Sequence, residues 1–247
     1  MKYKLIIKKI FSIIGIDKLP LFKKIQDFRR IKAYEKYTKQ QKEILNRYSQ
    51  DILRSINSIC NDNGYHIWLE YGTLLGAVRN NQIIPHDIDM DFGIYADEYN
   101  STLEALLNEN GFKKMHSFTL KDNKTGETKL TEITYNYNGL HVDLFFSFRN
   151  QNKRVSYVYH DTNTKYKYKS SEKSVKRLIS SEATPYERII LEDISCLSPN
   201  NPSKYLSQVY GRNYLIPDPK WKATDGDNII EYLSENDYIG YYNKIND

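Results

Sequence analysis

The sequence predicts an α/β protein of the α+β kind: a mixed sheet flanked by helices, preceded by an N-terminal amphipathic helical arm. Three observations predict it. Residues 45–59 carry apolar side chains at helical spacing, residues 89–94 and 130–146 alternate as strands do, and Asn201-Pro202 reads as a helix start. With 247 residues, 40% of them hydrophobic and 27% charged, the chain can bury a core without metal or disulfide staples. Two cysteines, Cys60 and Cys196, exclude a disulfide framework and a cysteine-rich zinc site. No window reaches the run of about 20 apolar residues that spans a bilayer. No stretch reads as a signal peptide with a small-residue cleavage site, so the cytoplasm is the expected address.

The elements follow in order. Ile6, Ile7, Ile10, Phe11, Ile13 and Ile14 share one face of a helical wheel, with Lys2, Lys4, Lys8 and Lys9 opposite. Either that apolar face packs on the body, or the arm docks at an anionic membrane on the inner side of the cell. Gly15, Asp17 and Pro20 interrupt it, and residues 1–33 are expected to form the arm, with 34–247 as the catalytic body. Charge separates the two regions. Residues 1–48 hold fourteen Lys and Arg against four acidic residues, a net of +10, which leaves the other 199 at −5. That segregation argues against a nucleic-acid groove in the body and for an arm that meets an anionic surface.

Leu45, Tyr48, Ile52, Ile56 and Ile59 form a core stripe that Asn63-Gly64 ends. A short strand, 66–71, runs into Gly72-Thr73 and a brief helix over 74–79, and Asn80-Asn81 turns the chain. In the strand from Asp89 to Ile94, Met90, Phe92 and Ile94 alternate with Asp89, Asp91 and Gly93, so the carboxylates share a face. Asp97 is expected to cap the helix that follows, which carries Leu103, Leu106 and Leu107. Asn138-Gly139 between alternating segments predicts a hairpin, with His141, Asp143 and Phe145 on one face of its second strand. Beyond Arg149 only Val155–Tyr159 reads as a strand, until Asn201-Pro202 opens a helix closed by Gly211.

Two aspartates at i and i+2 on a strand project to one point, and a third on another strand completes a set of hard oxygen ligands. Converging carboxylates repel unless a cation neutralises them, so Asp89, Asp91 and Asp143 are the candidate Mg²⁺ ligands, with Mn²⁺ as the alternative ion. The plain alternative is that these and Asp87 are solvated strand-face residues with no common target. A Gly-Thr at a helix start, Gly72-Thr73, offers N–H groups and a hydroxyl to a phosphate just before the acidic strand.

At these residues the sequence resembles the LicD/fukutin family of phosphotransferases, within the nucleotidyltransferase superfamily. Tyr71 to Gly76, Arg79, and Ile83-Ile84-Pro85-His86 running to Ile94 are similar to its signature block. Val142 to Phe146 is similar to its third-aspartate strand. Tyr205-Leu206 to Tyr210-Gly211, with Pro217 and Trp221, resembles its C-terminal motif. Many members carry Pro-Trp-Asp-Asp-Asp-x-Asp where this chain has Pro85-His86-Asp87-Ile88-Asp89-Met90-Asp91, and the zinc site of some animal relatives has no cysteines here to build it. The resemblance implies a nucleotidyltransferase-like fold. It also implies transfer of phosphocholine, ribitol phosphate or glycerol phosphate from a CDP-activated donor to a hydroxyl of a cell-surface glycan, releasing CMP; a lipid-linked acceptor would lie at the membrane. On that reading Asp89, Asp91 and Asp143 are catalytic, and Gly72, Thr73, Arg79, His86 and Asp87 bind substrate. His86 and His141 rank behind Asp143 as proton acceptors. Two rival functions fit the same motifs: movement of a nucleoside monophosphate onto a small-molecule hydroxyl, and glycan binding without catalysis.

Overall fold

The computed structural model describes residues 20–161, 172–181, 186–218 and 230–245. The amphipathic segment 1–16, Trp221, and Tyr166 and Tyr168 lie outside the described residues. The chain divides into two compact units, Met1–Glu43 and Ile44–Asp247. Helix α1 spans Pro20–Asn63. In its first unit Ile25, Phe28, Ile31 and Tyr34 are exposed. In the second, Leu45, Ile52, Ile56 and Ile59 are buried, as their spacing predicts, and Gly64, at φ +76°, ends the helix by donating its N–H to the Cys60 carbonyl at 2.9 Å. Among the described residues no helix is long and apolar enough to cross a membrane.

The second unit then runs β1 (Trp68–Leu69), α2 (Tyr71–Asn80), β2 (Asp89–Tyr95), α3 (Ser101–Glu109), β3 (Lys113–Asp122), β4 (Thr128–Tyr137), β5 (Leu140–Asn150), β6 (Lys153–Asp161), β7 (Glu172–Ser181), β8 (Glu187–Leu191), β9 (Ile194–Ser198), α4 (Pro202–Tyr210), β10 (Ile230–Tyr232) and β11 (Tyr238–Lys244). Local chemistry explains the sharpest boundaries. Asn81 takes φ +57° to cap α2, Asn138 and Gly139 take φ +51° and +96° in the β4–β5 turn, and Asn201 Oδ1 accepts from the Lys204 N–H at 3.0 Å with Pro202 at the first turn of α4. Asp97 does not cap α3. Asn100 does, its Oδ1 accepting from the Leu103 N–H at 3.0 Å, while Asp97 lies 3.4 Å from Arg149.

The sheet is mixed, as expected, but it is more than a layer flanked by helices. The eleven strands of the described residues hydrogen-bond into one system, in which β2 and β5 are parallel and β1 pairs antiparallel with β2 and parallel with β9. Strand β5 serves two sets of neighbours. Its first part pairs with β2 and β4, and its end, Phe148–Asn150, pairs with β6. The pairings β5–β6–β7–β11–β3–β4–β5 therefore return to their start and close a six-stranded barrel. Closure removes the exposed edges that β7 and β3 would otherwise present. Leu120, Val155, Tyr157 and Val175 fill a small core of their own, separate from the main core of α1, α2, β2, β4 and β5.

Candidate active site

The site forms where β1 hands over to α2. Glu70 is extended, and Tyr71 takes φ +34°, a conformation bulky residues rarely adopt; such strain concentrates at functional sites. This junction grips Asp91 on β2 at three points. The Glu70 N–H donates to the Asp91 carbonyl at 3.0 Å, the Gly72 N–H donates to Asp91 Oδ2 at 3.1 Å, and the Asp91 N–H donates to Thr73 Oγ1 at 2.8 Å. The structure thus places Gly72 and Thr73 as the residues that hold Asp91. Gly72 has no room to spare, since a Cβ there would lie 3.2 Å from Asp87 Oδ2 and 3.3 Å from Asp91 Oδ2. Two of the predicted acids therefore flank this glycine.

The other two arrive by register. In the parallel pair β2–β5, Asp91 stands opposite Asp143 and Asp89 opposite His141. Across the hairpin Thr134 stands opposite Asp143 and donates its hydroxyl to Asp143 Oδ1. The electrostatics follow from this crowding. Burial, then the charges of Asp89, Asp143 and Asp87, hold the Asp91 carboxyl well above the usual carboxylate range, against the single opposing effect of the Gly72 N–H. Burial pushes Asp143 up to about 7, with Asp89 adding to it and the Thr134 hydroxyl opposing it. Burial likewise raises Asp89, with His141 opposing.

A cavity of about 950 Å³ opens beside these acids, lined by Gly72, Arg79, His86, Asp87, Tyr210 and Tyr214 among others. Four of the five predicted substrate residues are thus on one wall, and His86 is exposed to it. Arg79 does more than face the cavity. Its Nε donates to the Tyr214 carbonyl at 2.8 Å and its Nη2 to the Ile216 carbonyl at 3.4 Å, tying the segment after α4 to α2. Among the described residues no three His, Cys, Asp or Glu side chains are already gathered into a metal cage. The donor set nevertheless fits a hard divalent cation, because it is all carboxylate, burial disfavours the anion of each member, and neighbouring acids oppose Asp91 and Asp143 further.

Sequence reasoning missed the buried base of the site. Glu70 and Arg154 form an ion pair at 2.8 Å with side chains 2% and 1% exposed. Trp68 Nε1 donates to Glu70 Oε2 at 2.6 Å, the Tyr205 hydroxyl donates to Oε1, and Arg154 Nε donates to Ser180 Oγ at 3.1 Å. The guanidinium carbon lies 4.3 Å from the centre of the Tyr205 ring. Burial alone would lower the pKa of Arg154, but Glu70, Tyr205 and Tyr71 together more than offset it and the guanidinium stays charged. No local pattern points to Arg154, which sits in an ordinary strand. Thr134 and Glu132 were within reach, since a two-residue turn at Asn138-Gly139 sets 134 opposite 143 and 132 opposite 145.

An acid-bearing strand, clamped by a helix start, thus lies beside a large cavity between two helices. The family model described as LicD/FKTN/FKRP, nucleotidyltransferase domain, matches residues 64–201, more than half of the chain, and the chain belongs to that family. Curated relatives include the mouse ribitol 5-phosphate transferase FKRP, 31% identical over 107 residues that cover 40% of this chain and 20% of the relative. The human ribitol-5-phosphate transferase FKTN is 31% identical over 70 residues, 28% of this chain and 15% of the relative. An uncharacterized protein of Rickettsia typhi is 36% identical over 64 residues, 26% and 20% of the two chains. The matched stretches span a fifth or less of these relatives.

Proposed function

We propose that this chain moves a phospho-alcohol, ribitol phosphate foremost, from a CDP-activated donor to a glycan hydroxyl and releases CMP. The observation that carries the reading is the crowding of acids around Asp91: Asp87 shares the Gly72 position with it and lines the cavity, Asp143 stands opposite it on β5, and Asp89 precedes it on the same face of β2. Four like charges in one place cost stability unless a reaction uses them. Membership of the family and the ribitol-phosphate transferase names of the mouse and human relatives support the choice of alcohol.

The diphosphate of the donor would lie in the cavity along α2, with Arg79, His86 and Asp87 around it. Asp89 and Asp91, with Asp143, would hold Mg²⁺ or Mn²⁺, which when bound supplies neutralisation of the phosphate charge. Gly72 and Thr73 keep Asp91 fixed, so the carboxylate needs no reorganisation during the reaction. The acceptor oxygen forms its bond to phosphorus as the bond to the CMP oxygen breaks, and the electron pair leaves with CMP. Where the cation rests on Asp89 and Asp91 alone, Asp143 would instead take the proton, since burial raises its pKa and makes it a better base than an ordinary carboxylate. The basic arm suits an acceptor anchored at an anionic membrane.

The test is turnover of CDP-ribitol, CDP-glycerol and CDP-choline in Mg²⁺ with product analysis. CMP release from CDP-ribitol is the expected outcome. Diphosphate release from a nucleoside triphosphate instead would mean nucleotidyl transfer, and no turnover of any donor would overturn the proposal.

A further inference from the structure

The sheet continues beyond Asp143, and two cross-strand rows can be read along it. One row runs Asp91 (β2), Asp143 (β5), Thr134 (β4), His116 (β3), Lys244 (β11), and the next runs Gly93, Phe145, Glu132, Phe118, Tyr242. Residues directly opposite in a ladder share a face, so both rows look the same way as the catalytic carboxylates. At about 4.8 Å per strand the rows extend roughly 19 Å along the sheet from Asp91.

What they carry borders the small barrel core, against which Tyr159 packs. His116, Phe118, Tyr159 and Tyr242 form a cluster of half-buried rings. Phe118 stacks on Tyr159 with centroids 5.0 Å apart, and Tyr242 lies 5.4 Å from Phe118 and 4.8 Å from His116. The Tyr159 hydroxyl is tied to Thr131, which fixes the ring beneath Phe118. Glu132 lies between these rings and Asp143, and among the described residues its carboxylate has no hydrogen-bonding partner.

We propose that this aromatic platform with Glu132 at its head is the seat of the acceptor sugar. The inference rests on the transferase reading and names the second substrate's place in it. Fixed ring faces offer stacking to the apolar C–H face of a pyranose, while the Glu132 carboxyl group at their head can share a hydrogen bond with a sugar hydroxyl. Position argues the same way. The cavity is reached from Gly72, on the β1 side of Asp91, and the platform leads away on the β5 side. Attacking and leaving oxygens at phosphorus stand roughly in line, so a leaving CMP held in the cavity puts the acceptor on the far side of the phosphorus. The platform occupies that side and runs up to Asp143, the base assigned to the acceptor hydroxyl.

The experiment titrates full-length protein with lactose and with N,N′-diacetylchitobiose, no donor present, and follows saturation transfer from protein to sugar by NMR. At least one disaccharide is expected to bind in the millimolar range. Tyr242→Ala and Glu132→Gln should each weaken that binding at least five-fold, and Tyr242→Phe should restore it, because the ring face is what the sugar meets. Circular dichroism and a thermal melt establish that the variants are folded. Binding of neither sugar, or binding unchanged in both variants, overturns the platform. Because no donor is used, the outcome separates from that of the CMP assay: sugar binding without CMP release sinks the reaction, and CMP release without sugar binding sinks the platform.

Discussion

Glu70 and Asp91 are joined by a backbone hydrogen bond of 3.0 Å, yet their carboxylates live in opposite electrostatic worlds. Glu70 meets a guanidinium, an indole N–H and a phenol, so each of its oxygens has a donor. Asp91 meets one backbone N–H and three other acids. The first arrangement is complete in the folded chain, and breaking it leaves a bare buried charge. The second is incomplete, which marks it as a place for something the chain does not supply. Two adjacent carboxylates thus separate a charge that holds the fold from a charge kept for chemistry.

The largest effect should come from the complete side. Arg154→Met strands Glu70 without its counter-charge and is expected to cost about 3–5 kcal/mol in urea unfolding. Adding Glu70→Gln to it should recover much of that loss, since a neutral amide keeps hydrogen bonds without needing a partner charge. A double variant no more stable than Arg154→Met alone would show that packing, not charge pairing, sets the cost.

Asp91→Asn should do the reverse. Turnover is expected to fall about 100-fold or more, while stability in EDTA holds or rises. Burial of Asp143, with the charge of Asp89 added to it, fixes a pH dependence. Asp143 ordinarily titrates at 3.8 and here is pushed up to about 7, so the folded chain keeps a proton that the unfolded chain releases. Its stability contribution is therefore full below about pH 4 and is lost as pH rises towards 7, by a few kcal/mol at most. Urea melts in EDTA from pH 4 to 8 should show that fall, and Mg²⁺ or an Asp91→Asn/Asp143→Asn double variant should flatten it. A metal-free protein that gains stability across that window would refute the crowding.

The smallest effect belongs to the hinge between the two. Gly72→Ala places a methyl 3.2 Å from Asp87 and 3.3 Å from Asp91, a clash the side chains can relieve by a few tenths of an ångström. Stability should change by less than about 1 kcal/mol, because alanine's helix propensity offsets the crowding. Turnover should still fall several-fold, since small displacements of catalytic groups are felt strongly. Unchanged kinetics would mean that Asp91 need not be held so closely.

Much of this was legible in the sequence. Alternation placed Asp89 and Asp91 on one face, Asn138-Gly139 set the hairpin that carries Asp143, and Asn201-Pro202 opened α4. Each of those signals involves residues close in the chain. The β8–β9 hairpin was not legible, because its turn is made by Glu192 and Asp193 at φ +51° and +61°, without the glycine that advertises such a turn. Strand β3 carries no local signal either, because Lys113–Asp122 has no clean alternation.

By itself, then, the sequence determined the elements whose code is local: the core stripe of α1, the acidic strand, the Gly-Thr helix start and the capped α4. Tertiary structure alone decided the barrel, because its closure joins β11 to β3 and β7, segments distant in the chain whose pairing no short-range pattern records. It also decided that Arg154, in a strand that reads as ordinary surface, would be buried against Glu70. Burying a charge is favourable only when its partner arrives, and that partner lies 84 residues away.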